Sequence, residues 1–164
     1  MEHTDTTNLT IIGRAERIDL PNLGLAGVPA KIDTGADLSS IWGSKVSETS
    51  EGGLMCTLFA PGNEFYTGEK LHFPSGEYEV TRVANSFGDK EFRYKIKLTI
   101  RVKGRRVKGS FTLADRSAKT YPVLLGRSLL KGKFVVDVKA GDPLLKEERE
   151  QKARLREELR KIGE

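Results

Sequence analysis

The sequence predicts an all-β domain, a small closed barrel or sandwich, with helix confined to its C-terminal part. Two observations carry that expectation. From Tyr94 to Lys103 apolar residues fall on every even position and polar ones on every odd position, the period-2 pattern of a half-buried strand. Elsewhere Pro, Gly, Asn and Ser cut the chain into short β-prone runs, and the βαβ alternation of a parallel sheet is missing.

Taken in order, the strand-like runs are Asn8–Ile12, Val28–Ile32, Leu54–Phe59, Glu77–Val83, Tyr94–Lys103, Val107–Leu113, Val123–Leu125 and Phe134–Val138. Turn chemistry at Pro21–Gly24, Ser50–Gly53, Pro61–Asn63, Pro74–Gly76 and Asn85–Asp89 separates them. Lys103-Gly104-Arg105-Arg106 reads as a hairpin turn whose two arginines form a solvated tip. Arg127–Lys131 reads as one helical turn. The tail Pro143–Ile162 reads as a long helix, with Asp142-Pro143 as cap and first turn. Its apolar stripe of Leu155, Leu159 and Ile162 is narrow. The tail is therefore either a solvated helix laced with ion pairs or a docking, dimer-stabilising one.

The length of 164 residues suits one domain plus tails: a flexible N-terminus over residues 1–8, a barrel over 9–140 and a charged helical tail over 141–164. Residues 141–164 carry seven charges of each sign, so the net +5 lies entirely on residues 1–140. No basic cluster is interleaved with aromatics as a nucleic-acid platform requires, and no nucleic-acid partner is expected. The single cysteine, Cys56, excludes an internal disulfide, reads as a small buried hydrophobe and fits a reducing compartment. No signal-peptide pattern opens the sequence and no run of 18 apolar residues crosses it, so a cytoplasmic protein without a membrane span is expected.

The chemistry concentrates in Ala30-Lys31-Ile32-Asp33-Thr34-Gly35-Ala36-Asp37, where an apolar strand runs into Asp-Thr-Gly and a small residue. Such a turn presents one carboxylate at a strand end, while Gly35 leaves room for another backbone to approach. Taken alone, Asp-Thr-Gly more often marks an Asx-type turn than a catalytic site. A second segment, Tyr121-Pro-Val-Leu-Leu125-Gly126-Arg127-Ser-Leu-Leu130, puts two apolar residues before Gly-Arg and a short helical turn.

Together the two segments resemble the retropepsin-like aspartic peptidases, in which each of two subunits donates one aspartate to a shared dyad. The resemblance spans about residues 9 to 140 and narrows to a bacterial and archaeal branch associated with ATP-grasp glutamate ligases. That branch commonly carries the label ATP-dependent zinc protease. Ile12-Gly13-Arg14-Ala15-Glu16, Leu20–Leu25, Lys31–Ala36, Ser39-Ser40, Leu113–Arg116 and Leu124–Arg127 carry it. This chain departs from many members in having Asp37-Leu38 after the Asp-Thr-Gly-Ala.

The resemblance implies a closed acid-protease barrel with Asp33 as the catalytic aspartate. Thr34 would interlock the two loops, Gly35 would be the close-approach glycine, and Gly126 its partner in a neighbouring strand. Ala36, Asp37, Gly126 and Arg127 would support the site, with an Asp37–Arg127 ion pair tying the loop to the short helix. By position, Gly62–Glu79 would be the substrate-covering flap, bringing Phe65, Tyr66 and Phe73 over the cleft, and Trp42 a cleft-lining or core aromatic.

The residues do not support the branch's label. A zinc peptidase needs about three protein ligands and a base, whereas the only histidines, His3 and His72, lack helical spacing and Cys56 has no soft companion. Gly126–Phe134 has one residue too many for a phosphate-binding loop and ends on Phe134, where Ser or Thr must hold magnesium. The expected activity is an aspartic endopeptidase without metal, ATP or other cofactor. It would be assembled as a C2 homodimer around a peptide or protein substrate. The alternative is a silent or gated peptide-binding module of the same fold, acting with an ATP-grasp ligase.

Overall fold

The computed structural model describes residues 8–84 and 87–163. The expected flexible segment over 1–8 lies outside the described residues apart from Asn8, as do Asn85 and Ser86 of the expected turn. The strands are β1 (Thr10–Ile12), β2 (Ala15–Leu20), β3 (Leu25–Ile32), β4 (Ser39–Glu48), β5 (Leu54–Leu58), β6 (Leu71–Phe73), β7 (Tyr78–Ala84), β8 (Lys90–Val102), β9 (Arg105–Ala114), β10 (Val123–Leu125) and β11 (Phe134–Val136). Helix α1 (Arg127–Leu130) separates β10 from β11, and α2 (Leu145–Ile162) ends the chain.

The hydrogen-bonded order β10-β3-β2-β8-β9-β4 returns to β10, which pairs with β4 as well as with β3. That double pairing closes the sheet into the expected barrel, with β6 and β7 left at its margins. β5 and β6 extend from β4, while β1 and β11 form a separate parallel ribbon. The inward positions of the period-2 strand, Ile96, Leu98, Ile100 and Val102, join Ile18, Val28, Ile41, Phe111, Val123 and Leu125 in the core. Burying each such side chain contributes roughly 1.5–3 kcal/mol, so the closed ring is held mainly from inside.

Two long strands, β2 and β4, lie where the alternation is broken. In β2 the inward Glu16 is only 4% exposed, its carboxylate accepting the Gly13 N–H at 2.8 Å and lying 3.8 Å from Lys103 Nζ. β4 opens on buried Ser39 and Ser40. Ser40 Oγ donates to the Thr112 carbonyl and Thr112 Oγ1 to the Ser39 carbonyl, both at 3.3 Å. A buried carboxylate or hydroxyl is tolerated because each has its partner, and this is what hides the strands in the sequence.

The β8–β9 turn forms as expected, with Lys103 (φ 50°) and Gly104 (φ 75°) both left-handed, as a two-residue primed turn requires. Arg105, expected at a solvated tip, instead donates to the Asn8 and Lys133 carbonyls at 2.7 and 2.8 Å and stacks on Phe134, stitching the β1–β11 ribbon to the barrel.

Leu144, not Asp142, caps α2; the Asp142 carboxylate pairs with Arg17 at 3.2 Å. The first turns of α2 are clasped to the barrel. Arg14 forks onto Glu148 at 2.9 and 3.0 Å, the Tyr121 hydroxyl donates to Glu148 at 2.7 Å, and Thr120 bonds Gln151. Beyond that clasp Leu155, Leu159 and Ile162 stay exposed.

Candidate active site

Asp33 follows β3 directly, and β10 fixes its height. The Asp33 N–H donates to the Leu125 carbonyl at 2.9 Å, continuing the parallel β3–β10 register that sets Leu125 beside Ile32. The chain then turns. Asp33 Oδ1 accepts the Gly35 N–H at 2.9 Å, and the Ala36 N–H donates to the Asp33 carbonyl at 3.3 Å. These bonds aim the carboxylate from a rigid strand end and leave Asp33 half-buried, with Thr34 and Gly35 exposed.

Gly126 lies against the far side of this loop. A β-carbon there would meet the Leu38 carbonyl oxygen at 2.6 Å and the Ala36 carbonyl oxygen at 2.9 Å, closer than a methyl can come to backbone. Its N–H donates to the buried Ser39 Oγ at 3.0 Å. Next along the chain, the Arg127 N–H donates to the Ala36 carbonyl at 2.8 Å and the Ser128 N–H to the Asp37 carbonyl at 3.0 Å. The apolar-apolar-Gly-Arg segment and the Asp-Thr-Gly loop are therefore one hydrogen-bonded unit. Ile32–Ala36 and Leu124–Gly126, nearly ninety residues apart, form it jointly.

The expected Asp37–Arg127 ion pair is not formed. The Asp37 carboxylate accepts the Ser128 hydroxyl at 3.0 Å, while Arg127 Nη1 donates to the Thr34 carbonyl at 3.1 Å. Both side chains still tie loop to helix, but each by a separate neutral partner.

Arg116, between β9 and β10, was not among the residues expected at the site, yet it bears on Asp33 electrostatically. Its Nε donates to the Tyr121 carbonyl at 2.9 Å. Burial above all, then the charge of Arg93, pushes its pKa below the ordinary guanidinium value, while the charge of Asp33 pulls it back up. A cation thus stands within electrostatic range of the Asp33 carboxylate. Its sequence signal was slight, a single arginine in the Leu113–Arg116 stretch.

Gly62–Glu79 does not form the expected flap hairpin. β6 pairs with β5 and β7 with β8, so the segment is split between two places. Phe65 packs on Phe59 with ring centroids 6.0 Å apart, Tyr66 accepts from Lys45 Nζ at 3.4 Å, and Phe65, Tyr66, Phe73 and Trp42 all rest partly buried against the core. The hairpin that does leave the barrel is β7–β8. β8 pairs with β9 only from Lys95 onward, so Lys90–Tyr94 has β7 as its sole neighbour and forms a two-stranded ribbon. Val80 and Phe92 on it are 55% and 70% exposed. Arg93, on the same ribbon, and Asp33 both bear on the charge of Arg116. Among the described residues, no three His, Cys, Asp or Glu side chains are grouped to hold a metal ion.

Comparison with known proteins adds the family. Residues 11–142 match the RimB-like family, described as the retropepsin-like aspartic endopeptidase RimB. The chain belongs to that family. It is also 30% identical over 132 residues to a protein from Shewanella pealeana named probable alpha-L-glutamate ligase, covering 79% of this chain and 29% of that one. A protein of the same name from Desulfotalea psychrophila is 27% identical over 165 aligned positions, covering 93% of this chain and 34% of that one. The chain thus spans about a third or less of the curated relatives it matches. A crystal structure of a protein of unknown function from Legionella pneumophila superimposes with a TM-score of 0.60 at 26% identity, covering 80% of this chain and 95% of that one. Membership assigns this retropepsin-like chain its fold, and the matched span contains both the Asp33 loop and the Gly126 strand.

Proposed function

We propose that this chain is an aspartic endopeptidase whose active site is completed by a second copy, with one Asp33 from each. The observation that supports it most is the unit just described: a strand-end carboxylate in an exposed Asp-Thr-Gly turn, held from behind by Leu125 and Gly126. One chain supplies one such carboxylate. Two of them brought together across a C2 axis cannot both ionise and so share a proton. The ionised member takes a proton from water, which attacks the scissile carbonyl. The protonated member polarises that carbonyl and then gives its proton to the leaving amine. Thr34 and Gly35, exposed on the loop, are the residues a second copy would meet. The β7–β8 ribbon is the element we assign as the flap that closes on an extended peptide. Rate should be highest in acid, with both limits belonging to the dyad as a pair. No metal or nucleotide enters this scheme, and no helix among the described residues is long and apolar enough to cross a membrane.

The relatives' name motivates a second reading. A chain matching part of proteins named for glutamate ligation would act beside such a ligase in the cytoplasm, as a peptidase or as a gated peptide-binding module. One assay separates the readings. Purified protein is incubated with an unbiased peptide library from acid to neutral pH, beside Asp33→Asn and with chelator added. The peptidase reading expects cleavage lost in Asp33→Asn and indifferent to chelator. Cleavage that survives Asp33→Asn refutes it, and loss with chelator alone returns the zinc mechanism. Binding of peptides without cleavage by a dimeric wild type supports the module.

A further inference from the structure

Away from the Asp33 loop, positive charge gathers on the solvent face of the β8–β9 hairpin. The register sets Lys97 opposite Ser110, Thr99 opposite Lys108 and Arg101 opposite Arg106. Lys97 and Lys108 are therefore diagonal neighbours, roughly 7–8 Å apart, and Arg101 faces Arg106 as a like-charge pair, an arrangement that destabilises a sheet unless an anion offsets it. Lys97, Lys108 and Ser110, with Lys133 from the turn after α1 and Ser128 of α1, line a cavity of about 310 Å³ whose walls contain no carboxylate. None of the three lysines joins an ion pair among the described residues, although, after the hydrogen bond and charge of Lys95, the charge of Lys97 also helps hold the Glu79 carboxyl below its ordinary value. The adjoining cavity of about 600 Å³ shares Lys97, Lys108 and Ser110 but also contains Glu77 and Glu79, the latter paired with Lys95 at 2.9 Å. An anion is thus favoured in the smaller space.

We propose that this smaller cavity binds a small multivalent phosphate anion, held by the ammonium groups of Lys97, Lys108 and Lys133 and by the Ser110 hydroxyl. Three ammonium groups around one compact space exceed what a single carboxylate neutralises. A phosphoryl group carries nearly two charges and three acceptor oxygens, and lysine binds it as a point charge. A polynucleotide is disfavoured because no aromatic side chain lines the cavity to stack a base. Ser128 is wall only, since its proton is committed to Asp37. The site stands apart from the peptidase reading and survives its failure.

The test is calorimetric titration of the full chain with inorganic pyrophosphate at low salt, on wild type, Lys97→Gln, Lys108→Gln, Lys133→Gln and Lys119→Gln. Lys119 lies in a different basic cavity, between α2 and the barrel, and serves as the control. Single-site binding is expected, weakened about tenfold by each of the first three substitutions and unchanged by the fourth, with melting curves showing all variants folded. Absence of binding at millimolar pyrophosphate overturns the proposal, as does equal weakening by Lys119→Gln, which would mean bulk charge. Tighter binding of oligouridylate or of an acidic peptide through the same lysines also overturns it, because the ligand would then be a chain.

Discussion

Replacing Gly126 with alanine drives a methyl into the Leu38 and Ala36 carbonyls, which lie 2.6 and 2.9 Å from the position it would take. Because both neighbours are backbone, the Asp33 loop must shift. Gly126→Ala is expected to lower stability by about 1–3 kcal/mol in urea denaturation and to abolish cleavage. Ser39→Ala tests the other side of the same residue. It leaves the buried Gly126 N–H without its acceptor, at a cost of about 1–3 kcal/mol by the same measurement. Asp33 and Gly126 were legible in the sequence because each sits in a motif whose residue types are chemically constrained. Ser128 was not, and Ser39 stood out only within the Ser39-Ser40 of the resemblance, since serine serves turns, surfaces and buried bonds alike and only the fold reveals the partner. The Asp37–Arg127 pair shows the converse: complementary charges in two adjoining motifs were bonded to other groups.

Element boundaries followed the same physics. Strands that bury one clean apolar face, such as the central part of β8, were visible from alternation alone. β2 and β4 were hidden by Glu16, Ser39 and Ser40, polar residues whose inward bonds cancel the pattern. Gly62–Glu79 forms no hairpin of its own for a related reason: Phe65, Tyr66 and Phe73 each pack partly buried against the core. In α2, the stripe foretold a helix but not its clasp. Arg14, by hydrogen bond and charge, holds the Glu148 carboxyl below its ordinary value of 4.5, with burial opposing. A carboxylate so depressed in the folded state stabilises above its unfolded pKa and loses that contribution as pH falls through the lower folded value. The clasp should therefore hold at neutral pH and release in acid below 4.5, read as faster amide exchange over residues 145–151. Glu148→Gln should show that fast exchange already at neutral pH, with the barrel's own exchange unchanged.

For the whole molecule, closure of the sheet through β10 matters most, because the strand that seals the barrel is also the one that positions Asp33. Barrel stability and site geometry are thus coupled, which is why substitutions at Gly126 and Ser39 are expected to affect both. An all-β barrel or sandwich was legible in the count of short strands and turns, and the choice of a closed barrel came from the family resemblance. The pairing that closes it was not, since β10 is only three residues long and its neighbours lie far away in sequence. The given sequence holds one Asp-Thr-Gly, so the proposed mechanism requires two copies sharing one site. Cleavage rate in mixtures of wild-type and Asp33→Asn chains, after subunit exchange at constant total protein, measures this directly. A shared dyad predicts that activity falls as the square of the wild-type fraction, to about one quarter in an equal mixture. A linear fall, to about one half, would show that each chain cuts alone and would contradict the account.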